Sequence, residues 1–228
     1  MKTEMETMDT TETQEQESKL QAENTMLTSE EERRIEHARQ TVMNQMDIPR
    51  HYRPMQEENF LGYEKEKADA YTALVTERRS LFIHGDPGTG KTHLAIVLMK
   101  RFYNEITFFK DQDKRYLIAP FFLPSIEFLY ALKKTYQEDG SEDSLLGKYT
   151  HRELLVLDDL GAERPTDWRR EIFYLFIDRI YRNEQQIIIT SNLNLGQIAE
   201  SLDDRIASRI SEICTIIKLN GKDHRLQK

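Results

Sequence analysis

Cysteine is nearly absent from this chain: Cys214 is the single one among 228 residues. One thiol closes no disulfide within the chain and supplies no cysteine-based zinc site. Cys214 lies in Ile213-Cys214-Thr215-Ile216-Ile217, a strand-like run where a small buried hydrophobe is expected. Long apolar runs are also missing. None approaches the length of a membrane-spanning helix, and the acidic start is wrong for a signal peptide. A soluble, cytoplasmic protein with no membrane partner is the expectation. His37, His51, His151 and His224 show no metal-ligand spacing, and no internal repeat is visible.

The net charge is −8, and it is unevenly spread. Residues 1–47 hold 5 Lys+Arg against 12 Asp+Glu, whereas the remaining 181 residues hold 27 against 28. The acidity thus belongs to the N-terminal segment, and a mixed body can still carry basic patches for nucleic acid. Residues 1–27 are polar and free of aromatics, a composition expected to be disordered. Thr28-Ser29-Glu30-Glu31-Glu32 then offers a capping box, and Ile35, Ala38, Val42 and Met46 make one narrow apolar stripe. That helix would dock on the body or on another protein. Pro49 and Pro54 end the segment. The expected organisation is an extension over 1–47 and one domain over 48–228.

Within the body, apolar runs alternate with amphipathic stretches. Strands are expected at Leu81–His84, Ile106–Phe109, Tyr116–Ala119, Leu154–Leu157, Ile187–Thr190 and Cys214–Leu219. Helices are expected over Glu64–Glu77, after Gly90, from Pro124 through Leu132, and over Trp168–Arg182, Leu195–Leu202 and Asp204–Ser211, with a polar loop at Gln137–Ser144. This pattern argues for an α/β fold with a parallel sheet flanked by helices.

The strongest local signal is Gly85-Asp86-Pro87-Gly88-Thr89-Gly90-Lys91-Thr92, which fits the phosphate-loop spacing G-x-x-x-x-G-K-T. Its context matches too: the strand Leu81-Phe82-Ile83-His84 precedes it and the apolar run Leu94–Met99 follows. Glycines let successive N–H groups point at phosphate oxygens, and a helix N-terminus adds its positive dipole end. Lys91 can reach the outer phosphates of ATP, and Thr92 can place its hydroxyl on Mg²⁺. His84 and His93 flank the loop, and each suits local packing or hydrogen bonding; His93 closes the candidate ATP-binding run.

Asp158 and Asp159 end the strand Leu154–Leu157 downstream of the loop. Asp158 takes the Mg²⁺ role, and Asp159 is placed to orient or deprotonate an attacking water. Glu163, four residues on, is a second candidate base. Ile187-Ile188-Ile189-Thr190-Ser191-Asn192 is another strand ending in small polar residues, and Asn192 could hold the water or a γ-phosphate oxygen. Asp204-Arg205-Ile206-Ala207-Ser208-Arg209 sets two arginines one helical turn apart. In a ring or spiral ATPase such an arginine reaches the neighbour's γ-phosphate; Arg205 is the first choice and Arg209 the second.

Together these runs resemble the AAA+ ATPases of the DnaC/DnaI helicase-loader and IstB transposition-helper group. The specific part of the likeness is Leu155-Val156-Leu157-Asp158-Asp159-Leu160-Gly161-Ala162-Glu163, then Ile189-Thr190-Ser191-Asn192-Leu193, then Asp204–Arg209; Asn59-Phe60 looks like the family's lead-in. It covers roughly Ile48 to Arg225. The resemblance implies an AAA+ phosphate-loop core that self-associates into a ring or spiral, contacts single-stranded DNA and hydrolyses ATP slowly. It also implies an N-terminal region that binds a hexameric replicative helicase. A transposase helper acting on duplex DNA shares the same body. A small-molecule kinase and an ATP-binding scaffold without turnover are the readings from other classes. The chain lacks the cysteine cluster that some members use for zinc, and Arg225 suits a solvated tail arginine.

Overall fold

The computed structural model describes residues 33, 46–56, 60, 62–110, 119–138, 140–221 and 223, with the side chains of 104–110 left aside. The chain divides into two units, Met1–Val42 and Met43–Lys228. The second holds every described strand. The helix expected over 28–47 lies almost wholly outside the described residues, as do Asn59 and Arg225.

Five strands form one parallel sheet: β1 (Ser80–Gly85), β2 (Phe121–Pro124), β3 (Leu154–Asp158), β4 (Gln186–Ser191) and β5 (Cys214–Leu219). Their spatial order is β2-β3-β4-β1-β5. Helices α1 (Glu64–Tyr71), α2 (Lys91–Lys110), α3 (Ser125–Gln137), α4 (Glu142–Thr150), α5 (Asp167–Arg182), α6 (Leu195–Ser201) and α7 (Asp204–Ile213) make the connections. The strands read as continuous apolar runs because both faces are covered. Alternation sorts their side chains. Phe82, Leu155, Leu157, Ile187 and Ile189 belong to one core with Phe128, Phe173, Phe176, Ile177 and Ile210 from α3, α5 and α7. Their strand neighbours Leu81, Ile83, Leu154, Val156 and Ile188 are equally buried and point to the other face, and α2 packs on β1, β3 and β4. On α5 the buried set Ile172, Phe173, Phe176, Ile177 and Ile180 follows the three-and-four spacing of one helix face.

Two expectations need correction, and a third falls almost wholly outside the described residues. Ile106–Phe109 is not a strand; it completes α2, which runs to Lys110. A helix already nucleated gains a backbone hydrogen bond with each added residue, and this outweighs a strand preference of about 1 kcal/mol at most. Of the expected strand Tyr116–Ala119 only Ala119 is described, and it is irregular. The described edge strand beside β3 is β2, four residues with Pro124 paired to Asp158 at its end. A proline is tolerated there because an edge strand leaves one side of its ladder open. Finally, α4 begins inside the expected polar loop, with Ser141 Oγ accepting a cap hydrogen bond from Ser144 N.

The parallel register lines up the C-terminal strand ends. Ile83 pairs with Thr190, Leu157 with Ile189, and Pro124 with Asp158. Ser125, Asp158, Thr190 and the phosphate loop therefore come to one edge of the sheet.

Candidate active site

A cavity of about 590 Å³ opens at this edge. Pro87, Gly88, Gly90, Lys91, Thr92 and His93 line one side, and Asp158, Asp159, Thr190 and Asn192 line the other. The sequence-expected residues of the loop, the acid pair and the asparagine thus meet in one place. Backbone demands explain the glycines: Gly85 has φ +152°, and a Cβ there would sit 2.2 Å from the Leu219 carbonyl oxygen of β5. Asp86 and Thr89 shape the loop from within, Thr89 Oγ1 donating to the Asp86 carbonyl at 2.9 Å.

Lys91 is buried, and its Nζ donates to the carbonyls of Gly85 and Asp86 at 2.9 and 2.8 Å. Its charge is thereby held at the glycine loop. Thr92 Oγ1 donates to Asp158 Oδ1 at 2.9 Å, and Thr190 Oγ1 donates to the same oxygen at 2.7 Å. Burial pushes the Asp158 carboxyl above the usual carboxylate range, the Asp159 charge adding to it, while the two threonine hydroxyls and Lys91 pull it back.

Asp159 sits at φ +61°, a left-handed conformation that aspartate tolerates better than most side chains. Groups at the ends of β2 and β4 surround it. Its N–H donates to Thr190 Oγ1 at 2.9 Å, Asn192 Nδ2 donates to its Oδ1 at 2.9 Å, and its carbonyl lies 2.9 Å from Ser125 Oγ. Ser125 Oγ is also 2.9 Å from Glu163 Oε1, and its single proton serves one of these two acceptors at a time. Glu163 does not line the loop cavity. It faces an adjoining one of about 680 Å³, together with His51, Ser125 and Arg164. Asp158, Asp159 and Tyr52 border both cavities.

Several contributors carry no local motif. Thr190 ties the two acids together, and Ser125 joins β2 to them. Tyr52 and Met55 close the cavity from the lead-in segment. That segment is anchored by the buried Lys100, whose Nζ donates to the carbonyls of Arg53 and Met55 at 2.8 and 2.7 Å. Burial holds the Lys100 ammonium below its ordinary pKa. His93 extends the anchor, with Nε2 3.1 Å from the Gln56 carbonyl and its ring edge on Phe60. Its imidazole is also held below the usual value, chiefly by burial. Arg205 and Arg209 lie away from this cavity, on α7.

The residues fit a magnesium ion. One buried carboxylate oxygen and one hydroxyl oxygen stand 2.9 Å apart at the lip of the phosphate loop. Mg²⁺ is commonly held by one or two carboxylates plus phosphates and waters, not by an all-protein cage. Among the described residues no group of three or more His, Cys, Asp or Glu is placed to hold a metal ion.

The family model described as IstB-like ATP binding protein matches residues 1–228. The chain belongs to the IstB-like ATP-binding family. The replicative helicase loader DnaC of Escherichia coli is 27% identical over 132 residues, which are 58% of this chain and 49% of that protein. The chromosomal replication initiator protein DnaA of Streptococcus thermophilus is 30% identical over 132 residues, 57% of this chain and 26% of that one. The matches thus span about half the length of the first relative and a quarter of the second. The crystal structure of the DnaC helicase loader superimposes with a TM-score of 0.63 at 26% identity, covering 75% of this chain and 100% of that chain. DnaI superimposes at 0.61 and 21% identity, covering 79% of this chain and 95% of that one, a likeness of fold alone. The fold is that of the AAA+ phosphate-loop ATPases. No helix among the described residues is long and apolar enough to cross a membrane.

Proposed function

We propose that this IstB-like protein is an Mg²⁺-dependent ATPase of DNA replication that loads or remodels a hexameric replicative helicase. The observation that carries the catalytic part is the bridged acid pair. Thr92 and Thr190 share one oxygen of Asp158, and Thr190 also receives the Asp159 N–H. In this reading Gly85–Thr92 and His93 form the nucleotide side of the site, with Lys91 directed to the outer phosphates. Thr92 and Asp158 hold Mg²⁺, which neutralises charge on the phosphate oxygens when bound.

Asp159 is the better-placed base. Its carboxylate faces the loop cavity and is oriented by Asn192, whereas Glu163 faces the adjoining cavity and is steadied by Ser125. Asn192 also has the donor needed to position a water or a γ-phosphate oxygen. The described residues place no arginine in the loop cavity. Arg205 from a neighbouring copy supplies that charge in a ring or spiral assembly, with hydrolysis at the boundary between copies.

The DnaC likeness supports a replicative helicase and single-stranded DNA as partners, with the segment before the body as the helicase contact. The domain division at 47/48 follows from this reading. A second reading has its own support: the family model is the IstB-like one, which favours a transposition helper acting with a transposase. Affinity capture on the tagged full chain with ATP separates the two. Recovery of a replicative helicase, lost on deleting residues 1–47 while ATP binding survives, is the expected result. Recovery of a transposase instead overturns it. ATP turnover with and without single-stranded DNA tests the catalytic part, and zero turnover leaves an ATP-binding scaffold.

A further inference from the structure

One wall of the loop cavity is a strap, residues 46–56, that runs from the edge of β2 to α2. Its first end is held by the sheet and by apolar burial. The Met46 carbonyl accepts from Phe122 N at 2.9 Å, and Met46 and Ile48 are both buried. The Tyr52 ring meets Phe122 edge-on, with centroids 5.9 Å apart. Within the strap the backbone bonds are local: Tyr52 N donates to the Pro49 carbonyl at 2.9 Å, and Met55 N to the Tyr52 carbonyl at 3.1 Å. Such turns shape the strap without tying it to the body.

The second end has no comparable burial. Arg53, Pro54 and Gln56 are exposed, and Met55 is half-buried. Two side chains of α2 reach this end instead. Lys100 Nζ donates to the Arg53 and Met55 carbonyls, 47 and 45 residues away in sequence, and His93 Nε2 stands 3.1 Å from the Gln56 carbonyl. Lys100 is only 7% exposed and follows the buried run Leu94–Met99. An apolar side chain would fill that place with less desolvation. What the lysine adds is two charge-assisted bonds to the strap's backbone. It does not line the cavity, and it lies nine residues after Lys91, about 13 Å further along the helix.

The strap serves two cavities. Tyr52 and Met55 line that of the phosphate loop, and Pro49, His51 and Tyr52 line the adjoining one. We infer that Lys100 is a positioning residue for the nucleotide: it latches the strap to the phosphate-loop helix and so keeps Tyr52 and Met55 in place as a wall against bound ATP. The inference rests on the reading of this cavity as the ATP site. A wall that meets the nucleotide alike before and during reaction contributes to affinity and not to rate.

The test is ATP affinity by fluorescence titration on the full chain, with turnover at saturating ATP and native-state trypsin cleavage beside it. Trypsin cuts after Arg50 but not after Arg53, which Pro54 follows, so the cut after Arg50 reports release of the strap. Lys100→Met keeps the apolar stem and removes the donors. It is expected to weaken ATP binding about three- to tenfold, to leave saturated turnover within about twofold, and to speed the cut after Arg50 severalfold. Lys100→Gln, neutral and one bond shorter, should move all three readouts in the same direction and stands in if the Met variant does not fold. In a Tyr52→Leu, Met55→Ala background, Lys100→Met should weaken ATP no further. An equal loss in both backgrounds, or a loss of affinity with unchanged cleavage, would overturn the inference. Lys91→Ala separates it from the reading beneath. If Lys91→Ala weakens ATP binding and neither Lys100 variant does, only this inference fails; if Lys91→Ala leaves affinity unchanged, the ATP site fails and the inference with it.

Discussion

Thr190→Val is the sharpest perturbation of the site. Thr190 is 1% exposed at the end of β4, and its hydroxyl does two jobs. It donates to Asp158 Oδ1 at 2.7 Å and accepts the Asp159 N–H at 2.9 Å. Valine has nearly the same shape, so no cavity opens, but both bonds are lost. The bond to a carboxylate is worth about 1.5–3 kcal/mol, and losing the part-buried bond from the Asp159 N–H costs roughly a further 0.5–1.5 kcal/mol. Partial relief comes from water entering the cavity, which gives a net loss of about 2–4 kcal/mol. For a body of this size each kcal/mol lowers the melting temperature by about 2–4 °C, so a fall of roughly 5–15 °C follows. Thr190→Ser keeps the hydroxyl and should recover most of it. Urea unfolding of the nucleotide-free protein, with calorimetry beside it, measures the difference. A Val variant within about 0.5 kcal/mol of the parent, the spread of an ordinary surface substitution, would refute the bridging role.

Three further outcomes are expected. Lys91→Ala removes the only lysine lining the loop cavity among the described residues, and ATP affinity by fluorescence titration should fall about ten- to a hundredfold, the equivalent of one charge-assisted bond; unchanged affinity sinks the site. Asp158→Asn should remove Mg²⁺-dependent turnover and yet raise the melting temperature of the nucleotide-free protein. Because burial raises the folded-state pKa of Asp158 above 3.8, its ionisation costs stability as pH rises through that folded value; the melting-temperature gain of the variant should therefore grow with pH above the ordinary carboxylate range, and a gain independent of pH would contradict the burial argument. Gly85→Ala would press a Cβ to 2.2 Å from the Leu219 carbonyl at a φ of +152°, and a loss of roughly 2–5 kcal/mol in urea unfolding is expected; a neutral variant would mean that the β1–β5 junction yields easily.

How much of this was legible in the chain depended on the range of the signal. Gly85–Thr92, Asp158-Asp159 and Asn192 carry their meaning in a few adjacent residues, and the buried runs Leu154–Leu157 and Ile187–Thr190 place them at strand ends. The structure brings them to one cavity. Thr190 was legible only as the last residue of a strand, since its role requires the register of β3 against β4. Ser125 was hidden because β2 is four residues long, starting after Pro120 and ending on Pro124, with no alternation to reveal it. Tyr52 and Met55 reach the cavity through Lys100, which lies 45 residues beyond Met55. Ile106–Phe109 misled for the opposite reason: its strand preference is genuine locally, and the continuing helix overrides it.

The described half-site also bears on where control of turnover resides. Asp159 is tied to Thr190 of β4 and to Asn192 just beyond it, and Asp158 to hydroxyls from α2 and β4. Moving either acid would break hydrogen bonds anchored in the buried sheet, a cost comparable to the Thr190 perturbation. The positioning of the acids is therefore a poor candidate for a switch. Lys91 is different, since its two carbonyl contacts lie within its own loop and can be exchanged for phosphate oxygens without moving a strand. Under the proposed function, the element most readily varied is the cation that a neighbouring copy would bring. Its presence there would depend on assembly. On this reasoning, helicase or DNA acts on turnover by changing how copies meet. A partner should then shift the protein concentration at which turnover is half-maximal and leave the ATP affinity of the isolated chain unchanged. A partner that instead altered ATP affinity at high dilution would locate control inside the single subunit, in the lead-in segment held by Lys100.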